Sequence, residues 1–221
     1  MNADHDNPVV GVVIAGGRSV RFGGEKAAAM LAGRPLLMWA ALRLQRDCRA
    51  VAVNARPGTE AEAIARDAGL TVLHDESGDA AGPLAGVKVG LIWAKEQGAR
   101  SLAVSPCDLP MLPPDLFPKL IAAAGAGAAM AETEEGRQPL CAVWPVSALP
   151  EIREALKDGQ HPATWMMLQK VGAQGVRFPV AEDFANINTR IELANLANRL
   201  EQQGATLPVQ SPDDGRPRYQ R

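Results

Sequence analysis

The stretch GVVIAGGRSVRFGGEK, residues 11–26, joins an apolar, β-branched run to a loop that is rich in glycine and positive charge. The apolar run from Val9 to Ile14 predicts a first strand. Glycines let the backbone approach a ligand closely and direct its N–H groups at an anion, while Arg18, Arg21 and Lys26 can neutralise a polyphosphate. The stretch therefore predicts a site for a nucleoside triphosphate at the end of the first strand.

Two familiar phosphate-binding motifs do not fit this loop. A Walker A motif needs glycine before the lysine and a hydroxyl residue after it, but here Glu25 precedes Lys26 and Ala27 follows it. The dinucleotide fingerprint G-x-G-x-x-G also fails, because Gly16 and Gly17 are adjacent. From the loop alone, a flexible turn with solvated basic residues stays open as the alternative.

Beyond the loop, short β-branched runs alternate with segments of helical period, which predicts parallel strands joined by crossover helices. The runs after the first lie at residues 50–55, 70–73 and 101–105, and the intervening helices include one that begins near Pro83. Thr59 with Glu62, and Thr189 with Glu192, have the spacing of capping boxes at helix starts.

The second half of the chain has a looser pattern. Two predicted strands at 128–131 and 139–144 flank the polar turn ETEEGRQ and indicate antiparallel or edge pairing. Helical stretches follow near 147–157 and 162–171, and a final helix is predicted to end near Gly204. We expect residues 1–203 to form a single domain and the Pro-rich, polar residues 204–221 to be a disordered tail.

Composition argues against several classes of partner. The net charge is -2 and the basic residues are scattered, so we expect neither nucleic-acid nor membrane binding. The apolar run at 8–15 is too short for a membrane span or a signal peptide. Cys48, Cys107 and Cys141 lie far apart, which argues against disulfides and zinc sites and predicts a cytoplasmic location.

The segment IAGGRSVRFGGEKAAAMLAGRPLL resembles the L-A-G-G-x-S-x-R-M-G-x-D-K signature of the nucleotidyltransferase family that includes molybdenum cofactor guanylyltransferases. Further matches follow in the family's order: VNA at 53–55, HDES at 74–77, GPLAGV at 82–87, CDLP at 107–110, PL at 139–140 and FANINT at 184–189. The chain departs from the pattern at three positions, where Phe22 replaces Met, Glu25 replaces Asp and Arg190 replaces a common Pro.

The resemblance implies a three-layer α/β/α, Rossmann-like nucleotidyltransferase fold with a mainly parallel mixed sheet. It also implies an enzyme that transfers GMP from GTP to the terminal phosphate of molybdenum-molybdopterin, forming molybdopterin guanine dinucleotide and releasing pyrophosphate. The expected cofactor is Mg²⁺, with Mn²⁺ as a substitute. Transient contacts with cofactor-insertion proteins and apo-molybdoenzymes are the expected protein partners.

Three residues are predicted to carry the catalysis. Arg21 and Lys26 are candidates for cradling the β- and γ-phosphates. Asp108 follows an apolar strand at the sheet edge where the glycine loop also emerges, and the resemblance makes it the metal ligand. Without the resemblance, an Asx turn explains Asp108 equally well.

The resemblance also assigns the nucleoside and the second substrate. The nucleoside is expected to bind at the loop backbone and two polar side chains, namely Ile14, Ala15, Gly16, Gly17, Asn54 and Asp75. Whether Asp75 contacts the base or the ribose stays open, and both polar residues could simply start turns. Gly82 and Gly86 are expected to shape the wall beside the nucleoside and, with Asn186 and Asn188, to support the second substrate or the metal. The two asparagines are expected to support the metal or the second phosphate.

Three rival functions follow from the same residues. The nearest is a molybdopterin cytidylyltransferase, although the adjacent glycines at 16 and 17 resemble the guanylyltransferase branch. A sugar-phosphate nucleotidyltransferase would usually be longer. A catalytically silent protein that binds a nucleotide and delivers the cofactor is the third. Trp165, Met166 and Met167 are interpreted as core residues and not as a pterin pocket.

Overall fold

The computed structural model describes residues 8–17, 22–78 and 82–202. Arg18, Arg21 and the predicted tail at 204–221 lie outside these ranges. The described strands are β1 (Val9–Ile14), β2 (Met30–Leu31), β3 (Arg34–Pro35), β4 (Val51–Asn54), β5 (Thr71–Leu73), β6 (Ser101–Pro106), β7 (Ala129–Thr133), β8 (Gly136–Pro145) and β9 (Gln174–Arg177). The described α-helices are α1 (Leu36–Asp47), α2 (Glu60–Asp67), α3 (Pro83–Glu96), α4 (Leu116–Ala124), α5 (Leu149–Ala155), α6 (Thr164–Lys170) and α7 (Arg190–Gln202).

Seven of these strands form one mixed sheet in the order β5-β4-β1-β6-β8-β7-β9. The first four strands of that order are parallel to one another, β8 pairs antiparallel with both β6 and β7, and β9 is parallel to β7. The predicted mainly parallel mixed sheet is confirmed. The remaining strands, β2 and β3, form a separate antiparallel hairpin.

The helices cover both faces of the sheet, because the strand residues alternate between two apolar clusters. Val9 and Val13 of β1 pack with α1, α2 and α4, whereas Val10 and Val12 pack with α3, α5 and α6. Burial on both faces explains why β1 is apolar throughout instead of alternating with polar residues. The predicted three layers are therefore present.

The strand order reverses at β1. After β1 the chain proceeds outward to β4 and β5, and α3 then returns it to β6 on the other side of β1. In such sheets the crevice at the carboxyl ends of the two central strands is the usual ligand site. Residues 15–17 leave β1 at this edge, and Asp108 follows β6 at the same edge.

A third apolar cluster attaches α7 to the outer side of α1. Leu196 and Leu200 of α7 pack there with Phe22, Leu31 and Trp39. The capping box at the start of α7 is confirmed, since the Glu192 N–H donates to Thr189 Oγ1 at 3.1 Å and the Thr189 N–H donates to Glu192 at 3.0 Å. This helix brings the segment at 186–190 against the first loop.

The structure corrects the secondary structure that was predicted for the second half of the chain. The polar turn ETEEGRQ is shorter than predicted, because β7 continues to Thr133 and β8 already begins at Gly136. Cross-strand pairing overrides the polarity of those residues. The helix α4, the strand β9 and the β2–β3 hairpin were not predicted. At α2, Glu62 accepts from the Gly58 N–H at 2.6 Å instead of the Thr59 N–H.

Of the helices in the described ranges, none combines the length and the apolar character needed to cross a bilayer.

Candidate active site

A cavity of about 480 Å³ opens where β1, β4 and β6 end, at the point where the strand order reverses. This volume is within the range of small-molecule sites, roughly 300–1,000 Å³. Its lining contains nine of the residues that the sequence predicted for the site: Ile14, Ala15, Gly16, Gly17, Lys26, Asn54, Asp75, Gly82 and Asp108. Residues from six separate segments of the chain are thus brought together.

The adjacent glycines of the loop leave space in this cavity. Neither Gly16 nor Gly17 has a positive φ, so backbone conformation alone does not demand glycine at either position. A Cβ at Gly17 would meet no atom within 4 Å, and one at Gly16 would make only an ordinary contact with Asn54 at 3.6 Å. The missing side chains therefore leave room for a ligand to approach the backbone N–H groups. Gly23, whose φ is +70°, is the loop position that requires glycine for its conformation.

At one end of the cavity, which we call the phosphate end, three polar side chains meet: those of Lys26, Asp108 and Asn188. The Lys26 ammonium donates to Asp108 Oδ2 at 3.0 Å and to Asn188 Oδ1 at 2.9 Å. The Ile187 N–H also donates to the Asp108 carbonyl at 3.0 Å, which ties the segment before α7 to the end of β6. Lys26 and Asp108 stay partly accessible, with side-chain exposures of 14% and 22%.

The phosphate end suits a hard cation that shares its ligands with phosphate. The carboxylate of Asp108 faces the cavity, and carboxylate oxygens are the ligands that Mg²⁺ prefers. Among residues 8–17, 22–78 and 82–202, no group of three His, Cys, Asp or Glu side chains could form a complete metal cage. One or two carboxylates are the usual protein ligands of Mg²⁺, which keeps several waters and binds through substrate phosphates.

The opposite end, which we call the nucleoside end, holds Asn54 and Asp75. Asn54 Nδ2 donates to Asp75 Oδ1 at 2.9 Å and to the Leu73 carbonyl at 3.4 Å. Asn54 is only 3% exposed. A Cβ at Gly86 of α3 would lie 2.4 Å from Asn54 Oδ1 and 2.9 Å from Ile14 Cδ1, so glycine at this position lets the amide fit against the helix.

A buried lysine fixes the loop that carries Asp75. Lys88 of α3 is 5% exposed and its ammonium lies 2.7 Å from Glu76 Oε2. The hydrogen bond from Lys88 holds the pKa of Glu76 below its usual value, with the positive charges of Lys88 and Arg153 adding to the effect. Glu76 therefore stays ionised at neutral pH and anchors the residue next to Asp75.

Cys107 lines the cavity beside Asp108 but is not suited to act as a nucleophile. Burial, with the negative charge of Asp108 as the second cause, raises the pKa of its thiol to about 12. Burial raises the pKa of the Cys48 and Cys141 thiols as well. Because the thiolate is the reactive form, the chemistry of this cavity belongs to its oxygen and nitrogen groups.

Three predicted site residues within the described ranges do not line the cavity, and a fourth predicted residue cannot be placed. Arg21 lies outside the described residues. Gly86 is behind Asn54, Asn186 is exposed, and Asn188 reaches the site through Lys26. The core interpretation of the 165–167 group is right for Met167, which is 4% exposed, but wrong for Trp165 and Met166, which are exposed because they lie on the outer side of α6.

Seven other lining residues were not predicted as site residues, namely Glu25, Ala27, Arg56, Pro83, Pro106, Cys107 and Leu140. Glu25 shows why. Its carboxylate accepts from the Glu60 and Ala61 N–H groups at 2.6 and 3.0 Å, which caps the start of α2 from 35 residues upstream. No local sequence pattern predicts a cap that comes from so far upstream. The one signal in the sequence was that Glu25 stands where the family pattern has Asp.

Comparison with known proteins places this architecture in context. The family model described as MobA-like NTP transferase domain matches residues 11–174. A protein of Cereibacter sphaeroides named molybdenum cofactor guanylyltransferase is 36% identical over 193 residues, which are 86% of this chain and 96% of that protein. A Rhodobacter capsulatus protein of the same name is 36% identical over 200 residues, 88% of this chain and 97% of its own length.

Solved structures agree on the fold. The crystal structure of molybdopterin-guanine dinucleotide biosynthesis protein A from Archaeoglobus fulgidus superposes with a TM-score of 0.68. It is 22% identical and covers 87% of this chain and 99% of its own. The nucleotidyltransferase fold predicted from the sequence is confirmed.

Proposed function

We propose that this chain, which belongs to the MobA-like NTP transferase family, is a molybdenum cofactor guanylyltransferase. It transfers GMP from GTP to the terminal phosphate of molybdenum-molybdopterin and releases pyrophosphate. Relatives at 36% identity that carry this name align over 86–88% of the chain, which supports the assignment. The observation that carries the proposal is the pairing of Lys26 with Asp108 in a cavity whose other end holds Asn54 and Asp75.

The reaction joins two anions. A terminal phosphate oxygen of molybdopterin attacks the α-phosphorus of GTP, a new P–O bond forms, and the bond from the α-phosphorus to the oxygen that bridges to the β-phosphorus breaks. Because the nucleophile is already an anion, no covalent enzyme intermediate and no serine or cysteine nucleophile is required. Catalysis consists of positioning the reactants and neutralising the charge that grows on pyrophosphate.

Lys26 is assigned to the β- and γ-phosphates. Its ammonium already bonds the Asp108 carboxylate and the Asn188 amide oxygen, so it is held at the phosphate end before a ligand arrives. Phosphate oxygens can take over as its partners, and the ammonium then stabilises the leaving pyrophosphate. Arg21, in the same loop, is proposed to share this task.

Asp108 is proposed to hold Mg²⁺, or Mn²⁺ in its place, with Asn186 and Asn188 supporting the metal or the second phosphate. When bound, the ion would neutralise negative charge on the triphosphate and on the attacking phosphate. Asp108 itself fixes the position of that charge, because the hydrogen bond from the Ile187 N–H holds its backbone.

The nucleoside end is proposed to recognise guanosine. Asp75 already has one carboxylate oxygen bonded to Asn54, so the orientation of the carboxylate is set. A carboxylate can accept the paired N–H donors of guanine, which cytosine does not offer. Ile14, Ala15, Gly16 and Gly82 also line the cavity, and the backbone of the first three is proposed to contact the nucleoside.

The setting of the reaction also remains a prediction. The three cysteines are free in the structure, which agrees with a reducing compartment, and a cytoplasmic location is proposed on that basis. Transient delivery of the product to cofactor-insertion proteins or apo-molybdoenzymes is proposed from the nature of the product.

The direct test is a reconstituted reaction. The purified chain is incubated with Mg²⁺, molybdenum-loaded molybdopterin and each of GTP, CTP, ATP and UTP in turn, and dinucleotide and pyrophosphate are quantified. The proposal predicts the guanine dinucleotide with an equal amount of pyrophosphate, and GTP as the preferred nucleotide. A product made only from CTP would overturn the base assignment, and nucleotide binding without pyrophosphate release would identify a silent delivery protein.

A further inference from the structure

Residues 22–24 connect the part of the glycine loop outside the described residues to Lys26, and they pack against α7. Phe22 is 3% exposed and lies in the apolar cluster with Ile187 and Leu196. Gly23 turns the backbone with a φ of +70°. The segment is joined to Lys26 through Glu25. Its position therefore affects where the backbone of Lys26 lies and where the ammonium can reach.

Arg190, the first residue of α7, clamps this segment. Its Nε donates to the Phe22 carbonyl at 3.3 Å, and its Nη2 donates to the Gly23 carbonyl at 3.4 Å. The guanidinium carbon also lies 5.6 Å from the centroid of the Phe22 ring, within the range of a cation–π contact. A Cβ at Gly24 would come within 3.1 Å of Nη2, so glycine at that position leaves room for the guanidinium.

Local helix stability does not account for this arginine. A cation in the first turn of a helix is unfavourable, because the N-terminal end of the helix dipole is positive. The residues that do stabilise the start of α7 are Thr189 and Glu192, through their capping box. Arg190 instead donates to the carbonyls of Phe22 and Gly23, which lie 168 and 167 residues earlier in the chain.

Two of the three departures from the family's sequence pattern touch each other here. Where the pattern has Met, this chain has Phe22, and where Pro is common, it has Arg190. Proline has no side-chain donor and methionine has no aromatic face, so the usual pair of residues could not form this contact.

The chain just before Arg190 also contacts Lys26 directly, since Asn188 Oδ1 accepts from the Lys26 ammonium at 2.9 Å. Residues 188 and 190 thus hold the loop at two points, one at the lysine head group and one at the backbone that precedes it. We propose that Arg190 is a positioning residue that holds residues 22–24 so that Lys26 meets the β- and γ-phosphates of the nucleotide. The proposal rests on the proposed function, because it presumes a triphosphate at the phosphate end.

The test compares ligands that differ only in their phosphates. Dissociation constants for GTP and GMP are measured in the presence of Mg²⁺ by titration calorimetry for the wild type, Arg190→Ala, Arg190→Lys and the control Arg199→Ala. Arg199 lies on the same helix, in its last turn, and is exposed. Thermal unfolding of each variant is recorded in parallel.

We expect Arg190→Ala to weaken GTP binding by about five- to tenfold, the scale of one lost hydrogen bond, and to change GMP binding by less than about twofold. Arg190→Lys should recover part of the GTP affinity, because it keeps the charge but lacks the planar fork that reaches two carbonyls. Arg199→Ala should bind both ligands as the wild type does.

Several results would overturn the proposal. Equal weakening of GTP and GMP by Arg190→Ala would mean a general structural role, and unchanged GTP binding would mean no role. If Arg190→Ala does not fold, Arg190→Lys carries the same comparison, and a folded lysine variant with wild-type GTP affinity would contradict the clamp. A wild-type chain that does not bind GTP would overturn the proposed function and this inference together, whereas normal wild-type binding confines a failure to Arg190.

Discussion

The two ends of the cavity are built differently, although each contains a hydrogen-bonded pair that includes a carboxylate. At the nucleoside end, Asn54 is buried, bonds Asp75 and a backbone carbonyl, and lies against Gly86, where a side chain would collide with it. At the phosphate end, Lys26 and Asp108 are partly exposed and come from segments 82 residues apart.

The difference indicates that the two ends contribute differently to nucleotide binding and to catalysis. At the nucleoside end, Asp75 is exposed but is held by the buried Asn54, so this end is organised in advance and contributes affinity and selectivity. At the phosphate end, opposite charges hold each other in place until phosphate and cation replace them, so part of its contribution appears in binding of the triphosphate and the larger part in the transition state. Changes at the phosphate end should lower kcat, and changes at the nucleoside end should raise KM for the nucleotide.

The most severe test of this division is Asp108→Asn. The amide keeps the shape of the side chain but removes the charge that would hold the cation, so we expect kcat to fall by about a thousandfold or more. The measurement is steady-state release of pyrophosphate over a range of Mg²⁺ and GTP concentrations. If pyrophosphate release is unchanged in this variant, the phosphate end is not where the chemistry occurs.

Lys26→Ala should have the next largest effect. Loss of one preorganised donor to the leaving pyrophosphate is worth about 3 kcal/mol, so kcat should decrease by about a hundredfold. Arg66→Ala serves as the control, because Arg66 is a surface cation on α2 paired with Glu62. An effect of Lys26→Ala confined to KM would place the lysine in ground-state binding and remove the contrast between the ends.

At the nucleoside end, Gly86→Ala and Gly90→Ala form a matched pair. Both glycines are on α3, and a Cβ on either would collide with a neighbour, but only Gly86 contacts Asn54; Gly90 contacts Leu102 and Val12. Each substitution should destabilise the fold by about 1–3 kcal/mol through overpacking. Only Gly86→Ala should also raise KM for GTP, by about tenfold, because a displaced Asn54 no longer orients Asp75.

Equal KM values for these two variants would show that the position of Asn54 does not matter for the nucleotide. Thermal unfolding separates the two effects, because the loss of stability should be similar in both variants.

The smallest expected effect is that of Glu25→Gln, at a residue that lines the cavity and precedes Lys26 in the chain. The Glu25 carboxylate caps α2 at the positive end of the helix dipole, and the neutral amide keeps an acceptor but loses the charge. We expect a loss of about 1 kcal/mol in the free energy of unfolding, with kcat within about twofold of the wild type. A large fall in kcat without a loss of stability would instead assign Glu25 to the chemistry.

The parallel half of the sheet could be predicted from the sequence, and the antiparallel half only in part. In the parallel half, β1, β4, β5 and β6 are short apolar runs separated by helices with local start signals, such as the capping box at Thr59. In the antiparallel half, polar residues such as Arg137 and Gln138 belong to β8 because they pair with β7, a contact that no local pattern records.

Prediction of the site was limited in the same way, because local sequence patterns do not record contacts between distant residues. Asp108 and the glycine loop could be placed together, because the carboxyl ends of neighbouring parallel strands meet at one edge. Contacts such as Glu25 with the start of α2, Lys88 with Glu76 and Arg190 with Phe22 could not be predicted, because they join residues that are distant in sequence and have no shared motif.

The central claim is that Asp108 and Lys26 meet the triphosphate where β1 and β6 end. It is tested most directly by a crystal structure with a non-hydrolysable GTP analogue and Mn²⁺, whose anomalous scattering locates the ion. The account predicts an anomalous peak bonded to Asp108, the β- and γ-phosphates beside Lys26, and the base near Asp75. A nucleotide bound elsewhere, or a metal ion that Asp108 does not contact, would contradict it.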